Sequence, residues 1–179
     1  MRDTPFGTAL AHIVRERMRA LVRDAARALR RGRNDELHAL RIDVKRLRYN
    51  LEFLVPLARE QTLAALDLLA VLQERLGALA DADTFARTYD GMRADVPAGD
   101  PREPGLATLR ANAERERERS LAAVRALWRG DNATYPERLA ASISATLASV
   151  SAKAAPYAGR GTTSNETVVA KARSNRSDL

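Results

Sequence analysis

The stretch His38-Ala39-Leu40-Arg41-Ile42-Asp43-Val44-Lys45-Arg46-Leu47-Arg48-Tyr49 reads as one amphipathic helix with cations set along a single strip. At about 100° per residue, His38, Arg41, Lys45 and Arg48 fall within an arc of about 80°, and Glu52 joins it one turn later. The apolar set Leu37, Leu40, Val44, Leu47 and Leu51 centres roughly 100° away, so the cations border the packed face rather than oppose it. Side chains placed this way tend to line a groove between helices, and here the groove would attract anions.

Around this helix the composition is that of a helical protein. The chain has 179 residues, 45% of them hydrophobic, with only four Tyr, three Phe and one Trp. That length suits one domain whose core is built mainly from Leu, Ala and Val. Thirty Lys and Arg against twenty-three Asp and Glu give a net charge of +7. The excess favours polyanionic partners and binding that weakens with salt. Arginine dominates the count, and its fork binds phosphate oxygens bidentately.

The chain has no cysteine, which excludes disulfides, thiolate nucleophiles and Cys-rich zinc sites. No apolar run has the length of a membrane span, and the N-terminus lacks the apolar core of a signal peptide. A cytoplasmic protein with no membrane partner is expected.

The periodicity predicts an antiparallel bundle of four to five helices over residues 1–158. A first helix runs from about Pro5 to Arg31, and a second from about Glu36 to near Leu54, with Asn34 or Asp35 as its cap. A third spans Gln61 to Tyr89 on Leu63, Leu66, Leu69, Leu72, Leu76 and Leu79, with Gly77 as a weak point. The Pro- and Gly-rich stretch Asp90 to Gly105 reads as a linker. A fourth helix follows over Leu106 to Trp128, and a fifth begins near Pro136 and continues through Val150. Residues 159–179 read as a disordered tail.

In the first helix His12, Arg15, Arg19, Arg23, Arg27 and Arg30 share an arc of about 120°. If the two helices are neighbours, their basic strips could face one trough of about 25 to 30 Å, a shape suited to an extended polyphosphorylated ligand. Ordinary solvated helix faces carry charge at the same spacings. Asp81 and Asp83 could hold motif arginines in register, accompany a divalent cation, or be plain helix-terminal carboxylates. Glu52 is expected to orient Arg48 or Lys45 by ion pairing. Two histidines and two carboxylates justify no metal, and no cofactor is expected. Nothing in the sequence pairs a nucleophile with a base or forms a Gly-rich phosphate loop, so a noncatalytic role is expected.

The segment Leu37 to Phe53, together with Leu72-Gln73-Glu74-Arg75-Leu76-Gly77-Ala78-Leu79-Ala80-Asp81, resembles the CHAD family, the conserved histidine α-helical domains. The first block looks like the family's signature helix and the second like its Leu-Gly block. The resemblance implies an all-helical, half-size CHAD-like domain that binds inorganic polyphosphate without catalysis and associates with polyphosphate granules. It makes His38, Arg41, Lys45 and Arg48 the basic positions, Tyr49 the aromatic position and Asp81 the supporting carboxylate, while the helical register of the first helix adds Arg15, Arg19 and Arg23 as an extension of the track. A family domain contains two related halves, whereas this chain shows one signature, so a homodimer could supply the second. Nonspecific nucleic-acid binding and a structural or oligomerisation module are the rival readings.

Overall fold

The computed structural model describes residues 6–130 and 134–158. Five helices follow one another: α1 (Phe6–Arg31), α2 (Asn34–Glu52), α3 (Arg59–Ala94), α4 (Glu103–Arg129) and α5 (Tyr135–Ala158). No strand occurs among the described residues, and the molecule is an all-α bundle. The expected tail at 159–179 lies outside the described residues.

The expected leucine periodicity builds the core. Leu10, Val14, Leu21 and Leu29 of α1 meet Leu37, Leu40, Val44, Leu47 and Leu51 of α2, and Leu69, Leu72, Leu76 and Leu79 of α3 close over them. Leu139, Ile143 and Val150 of α5 complete the cluster. Each fully buried leucine contributes roughly 1.5–3 kcal/mol relative to exposure. Among the described residues Tyr135 is the one large aromatic side chain fully buried in this interior. Its hydroxyl donates to the Leu68 carbonyl, and burial pushes its pKa up to about 12. Leu63, expected on the packed side of α3, is instead exposed.

The linker expected at Asp90 to Gly105 is shorter, because α3 runs on to Ala94 and α4 starts at Glu103. Gly91 and Gly105 lie inside helices, and Pro104 occupies the first turn of α4, where its missing N–H costs nothing. Only Asp95 to Arg102 connects the two helices. Asp100 organises that turn: its carboxylate accepts the Arg102 backbone N–H at 2.8 Å and the guanidinium at 2.9 and 3.0 Å. The Arg102 guanidinium, with help from the backbone N–H, lowers the Asp100 pKa to about 2.

The α1–α2 turn differs from expectation as well. Arg33 occupies the cap position of α2 and no side chain caps the helix. The Asn34 and Asp35 side chains are committed elsewhere, Asn34 to Arg117 and Asp35 to Arg33. Gly32 takes φ +67°, and a Cβ there would sit 3.1 Å from Leu121. Glycine is therefore favoured both by backbone conformation and by the approach of α4.

Two α4 arginines finish the end of α1. Arg125 Nε donates to the Leu29 carbonyl at 2.7 Å, and its Nη2 to the Arg30 carbonyl at 3.3 Å. Arg117 donates to the Gly32 carbonyl at 2.7 Å, to Asn34 Oδ1 at 2.6 Å and to Asp83 at 2.6 Å. Asp83 is only 8% exposed, so removing its cation leaves a nearly buried charge unpaired. We expect Arg117→Met to lower the unfolding free energy in urea by about 2–3 kcal/mol, and Asp83→Asn by about half of that. An unchanged denaturation midpoint in both variants would show that the clasp carries no stability.

Candidate anion-binding site

The core of α2 fixes the direction of its cations. With Leu40, Val44 and Leu47 packed inward, the strip of His38, Arg41, Lys45 and Arg48 emerges on the flank that faces α3. His38 and Arg41 line a groove of about 440 Å³ whose other wall is Leu76, Leu79, Ala80, Asp81, Asp83, Thr84 and Arg87 of α3. Asn34 and Asp35 close one end. The structure thus brings His38, Arg41 and Asp81 into one cleft.

Lys45, Arg48, Tyr49 and Glu52 continue the strip along α2 beyond that cleft. Lys45 Nζ lies 5.9 Å and the Arg48 guanidinium 5.2 Å from the centre of the Tyr49 ring. Tyr49 is half exposed and steadies both cations by cation–π attraction, worth about 0.5–1 kcal/mol at such a site. Glu52 approaches Arg48 Nε at 3.5 Å, one helical turn away, as an ion contact without hydrogen-bond geometry. Arg41 Nε and Arg48 Nε are both buried with no hydrogen-bond partner. Their unpaired N–H groups share the strip with Lys45 and His38, which form no ion pair among the described residues.

The groove also carries three carboxylates, and their partners decide its balance. Asp35 is engaged by the Arg33 fork at 2.9 and 3.2 Å, which lowers its pKa, and Asp83 by Arg117. Asp81, exposed like Asp35, forms no ion pair among the described residues and lines the groove with His38, Arg41 and Arg87. Asp83 is therefore tied to α4 and not to a motif arginine. Among the described residues, no group of three or more His, Asp or Glu side chains could hold a metal ion.

Gly77 lies one turn before Asp81 on the same side of α3, and a Cβ there would meet nothing within 4 Å. Packing does not require glycine at this position, although glycine costs about 1 kcal/mol relative to alanine in a helix. Its absent side chain leaves this part of the α2–α3 flank open.

The cleft between α1 and α2 is lined by Asp24, Arg27, Ala28, Asp35, Glu36, Ala39, Leu40 and Asp43, and it holds four carboxylates against one arginine. Arg15, Arg19 and Arg23 are exposed on α1 and line neither this cleft nor the α2–α3 groove. Arg19 pairs with Glu16 at 2.7 Å, and Arg23 approaches Asp24 at 3.4 Å. Helical register shows which residues share a strip but not which neighbouring helix that strip meets.

Sequence reasoning passed over Arg87 and Arg117. Arg87 follows Ala80 and Thr84 at helical spacing, and its guanidinium donates to Thr84 Oγ1 at 3.2 Å, so its place on the groove wall was readable. Arg117 sits in the run Glu114-Arg115-Glu116-Arg117-Glu118-Arg119, where alternating charge gives no sign of which arginine turns inward.

No helix among the described residues is long and apolar enough to cross a membrane. No curated protein and no solved structure matches the chain. Residues 2–90, which reach from the start of the chain to Asp90 in α3 and include the whole α2 strip and its facing groove wall, match the CHAD domain. Through this segment the chain belongs to the CHAD domain family.

Proposed function

We propose that this chain is a noncatalytic module that binds inorganic polyphosphate along the α2 strip. The CHAD family is linked to polyphosphate binding. The observation that carries the reading is the pair of buried, partnerless Nε groups on Arg41 and Arg48. A buried donor left unpaired costs about 1–3 kcal/mol, and phosphoryl oxygens would repay that cost. In this reading Arg41, Lys45 and Arg48 contact the oxygens, His38 donates at the groove mouth, Tyr49 holds two of the cations in place, and Asp81 and Glu52 orient the strip. Arg15, Arg19 and Arg23 would extend this track from α1, outside the α2–α3 groove.

Reversing Arg41, Lys45 and Arg48 together to glutamate is expected to weaken long-chain polyphosphate binding at least about 100-fold and to lower the salt slope by about two to three. Calorimetry at several salt concentrations, with circular dichroism to check folding, measures both. Affinity that stays at the wild-type level in the folded variant would remove the proposal. If duplex or single-stranded nucleic acid displaces polyphosphate with comparable affinity, the surface is a nonspecific polyanion binder instead. If the variant loses stability while the wild type shows little specific anion binding to lose, the signature is structural.

Gly77 gives a second test. Gly77→Ala is expected to stabilise the protein by about 1 kcal/mol with polyphosphate affinity kept. Gly77→Leu fills the open flank and is expected to weaken binding about tenfold at unchanged helical content. Equal affinity in all three proteins would place the ligand elsewhere.

A second copy completes the reading. Tyr49 on α2 and Phe53 just after it, with Leu63, Val71 and Phe85 on α3, are large apolar side chains at least 40% exposed, a surface that association would cover. A homodimer would add a second α2 strip to the ligand surface. Sedimentation equilibrium is expected to give twice the 19.7 kDa chain mass, reduced to the monomer by Phe53→Asp; a wild-type monomer with full affinity would show that one chain suffices.

A further inference from the structure

A second cleft lies between the last turns of α1 and the end of α4. It encloses about 610 Å³ and is lined by Ala26, Leu29, Arg30, Arg125, Trp128 and Arg129. That volume falls within the range of small-molecule sites, about 300–1000 Å³. Three arginines line the cleft, and among the described residues no carboxylate does. Arg30 and Arg129 form no ion pair among the described residues, in contrast to the neighbouring Arg27 and Arg31, which pair with Asp24 at 3.2 Å and Glu36 at 2.9 Å.

The three arginines are not equivalent. Arg125 is fixed by its bonds to the Leu29 and Arg30 carbonyls, so it is a preorganised charge at the base of the cleft. Arg30 and Arg129 are exposed and occupy the last turns of α1 and α4, where they complement the negative helix ends. Complementing a helix end does not account for the apolar surface between them. Leu29 is buried, and Trp128, the only tryptophan in the chain, is partly buried against the core and against Tyr135, with ring centres 6.0 Å apart. An apolar, aromatic floor under a cationic rim matches a ligand that has a flat ring at one end and negative charge at the other.

A bare polyphosphate has no use for this floor. The acidic α1–α2 cleft, with Asp24, Asp35, Glu36 and Asp43, also separates this site from the α2 strip. We propose that the α1–α4 cleft binds a nucleoside phosphate independently of the α2–α3 groove, with its base against Trp128 and its phosphates on Arg30 and Arg129.

Because Trp128 is the only indole, its fluorescence reports on this cleft in the full chain. The experiment titrates ATP, inorganic tripolyphosphate and adenosine, each without added metal and with excitation at the red edge of the indole band. Saturable quenching by ATP is expected at concentrations where tripolyphosphate and adenosine have little effect. Arg30→Ala/Arg129→Ala is expected to weaken ATP binding about tenfold or more, through loss of charge-assisted contacts, with long-chain polyphosphate binding unchanged and the thermal midpoint lowered by only a few degrees through loss of the helix-end charges. Arg41→Ala/Lys45→Ala is expected to leave the ATP response intact.

Three results would each overturn the proposal: quenching by tripolyphosphate at the same affinity as ATP, wild-type ATP affinity in Arg30→Ala/Arg129→Ala, or no saturable ATP response. Loss of the ATP response in Arg41→Ala/Lys45→Ala would move the nucleotide to the α2–α3 groove and also reject it. Failure of polyphosphate to bind the α2 strip leaves this test unaffected, because its readout and its variants belong to a different cleft.

Discussion

The backbone carbonyls at the end of α1 impose the constraint on which the candidate site depends. An α-helix leaves its last four carbonyls without intrahelical partners, and a buried end must find donors for them. Here the Gly32 N–H serves Ala28 at 2.8 Å, while Arg125 serves Leu29 and Arg30. Arg117 takes the Gly32 carbonyl just beyond the helix. The same guanidinium grips Asn34 at the start of α2 and Asp83 on α3, both of which line the α2–α3 groove. One α4 side chain therefore joins the turn that launches the cation strip to the helix that forms the opposite wall. The CHAD match ends at Asp90, before α4 begins, so the matched segment relies on chain beyond it to fix its geometry.

Charge is partitioned by the same packing. The α2 helix has leucines toward the core, cations on the flank beside α3, and Glu36 and Asp43 on the flank beside α1. Exposed cations spread evenly over the surface would be screened within about 8–10 Å at physiological salt. Clasping Asp35 with Arg33 and Asp83 with Arg117 leaves Arg41, Arg87 and Asp81 as the charges of the groove that form no ion pair among the described residues. The net charge of +7 averages over such local differences, including the acidic α1–α2 cleft.

What the sequence made legible follows from what a helix repeat encodes. Leu37, Leu40, Val44, Leu47 and Leu51 were all identifiable as core, and all are buried; the direction of His38 and Arg41 then follows from covalent geometry. The short α3–α4 turn was not legible, since Gly91, Gly105 and Pro104 carry the composition of a linker although helices accommodate each of them. Leu63 fits the leucine repeat of α3 but lies exposed on it, because α3 carries apolar residues on its outer side too, and periodicity cannot choose between two apolar faces. The inward turn of Arg117 among six alternating charges was invisible for a similar reason: its partners lie 34 to 85 residues away in sequence.

Two arginines of the strip differ from those of an ordinary solvated helix face. Surface arginines usually extend their guanidinium groups into water and bury only their alkyl stems. Arg41 and Arg48 instead carry Nε groups buried without partners, and Arg48 is held beside Tyr49 and Glu52. Arg48 Nε has the Glu52 carboxylate near it at 3.5 Å, and Arg41 Nε has no acceptor among the described residues. In the proposed reading ligand oxygens would provide the acceptors, and side chains already held in place lose less rotamer freedom when an anion arrives. That balance is the physical basis for proposing α2 as the ligand-bearing helix.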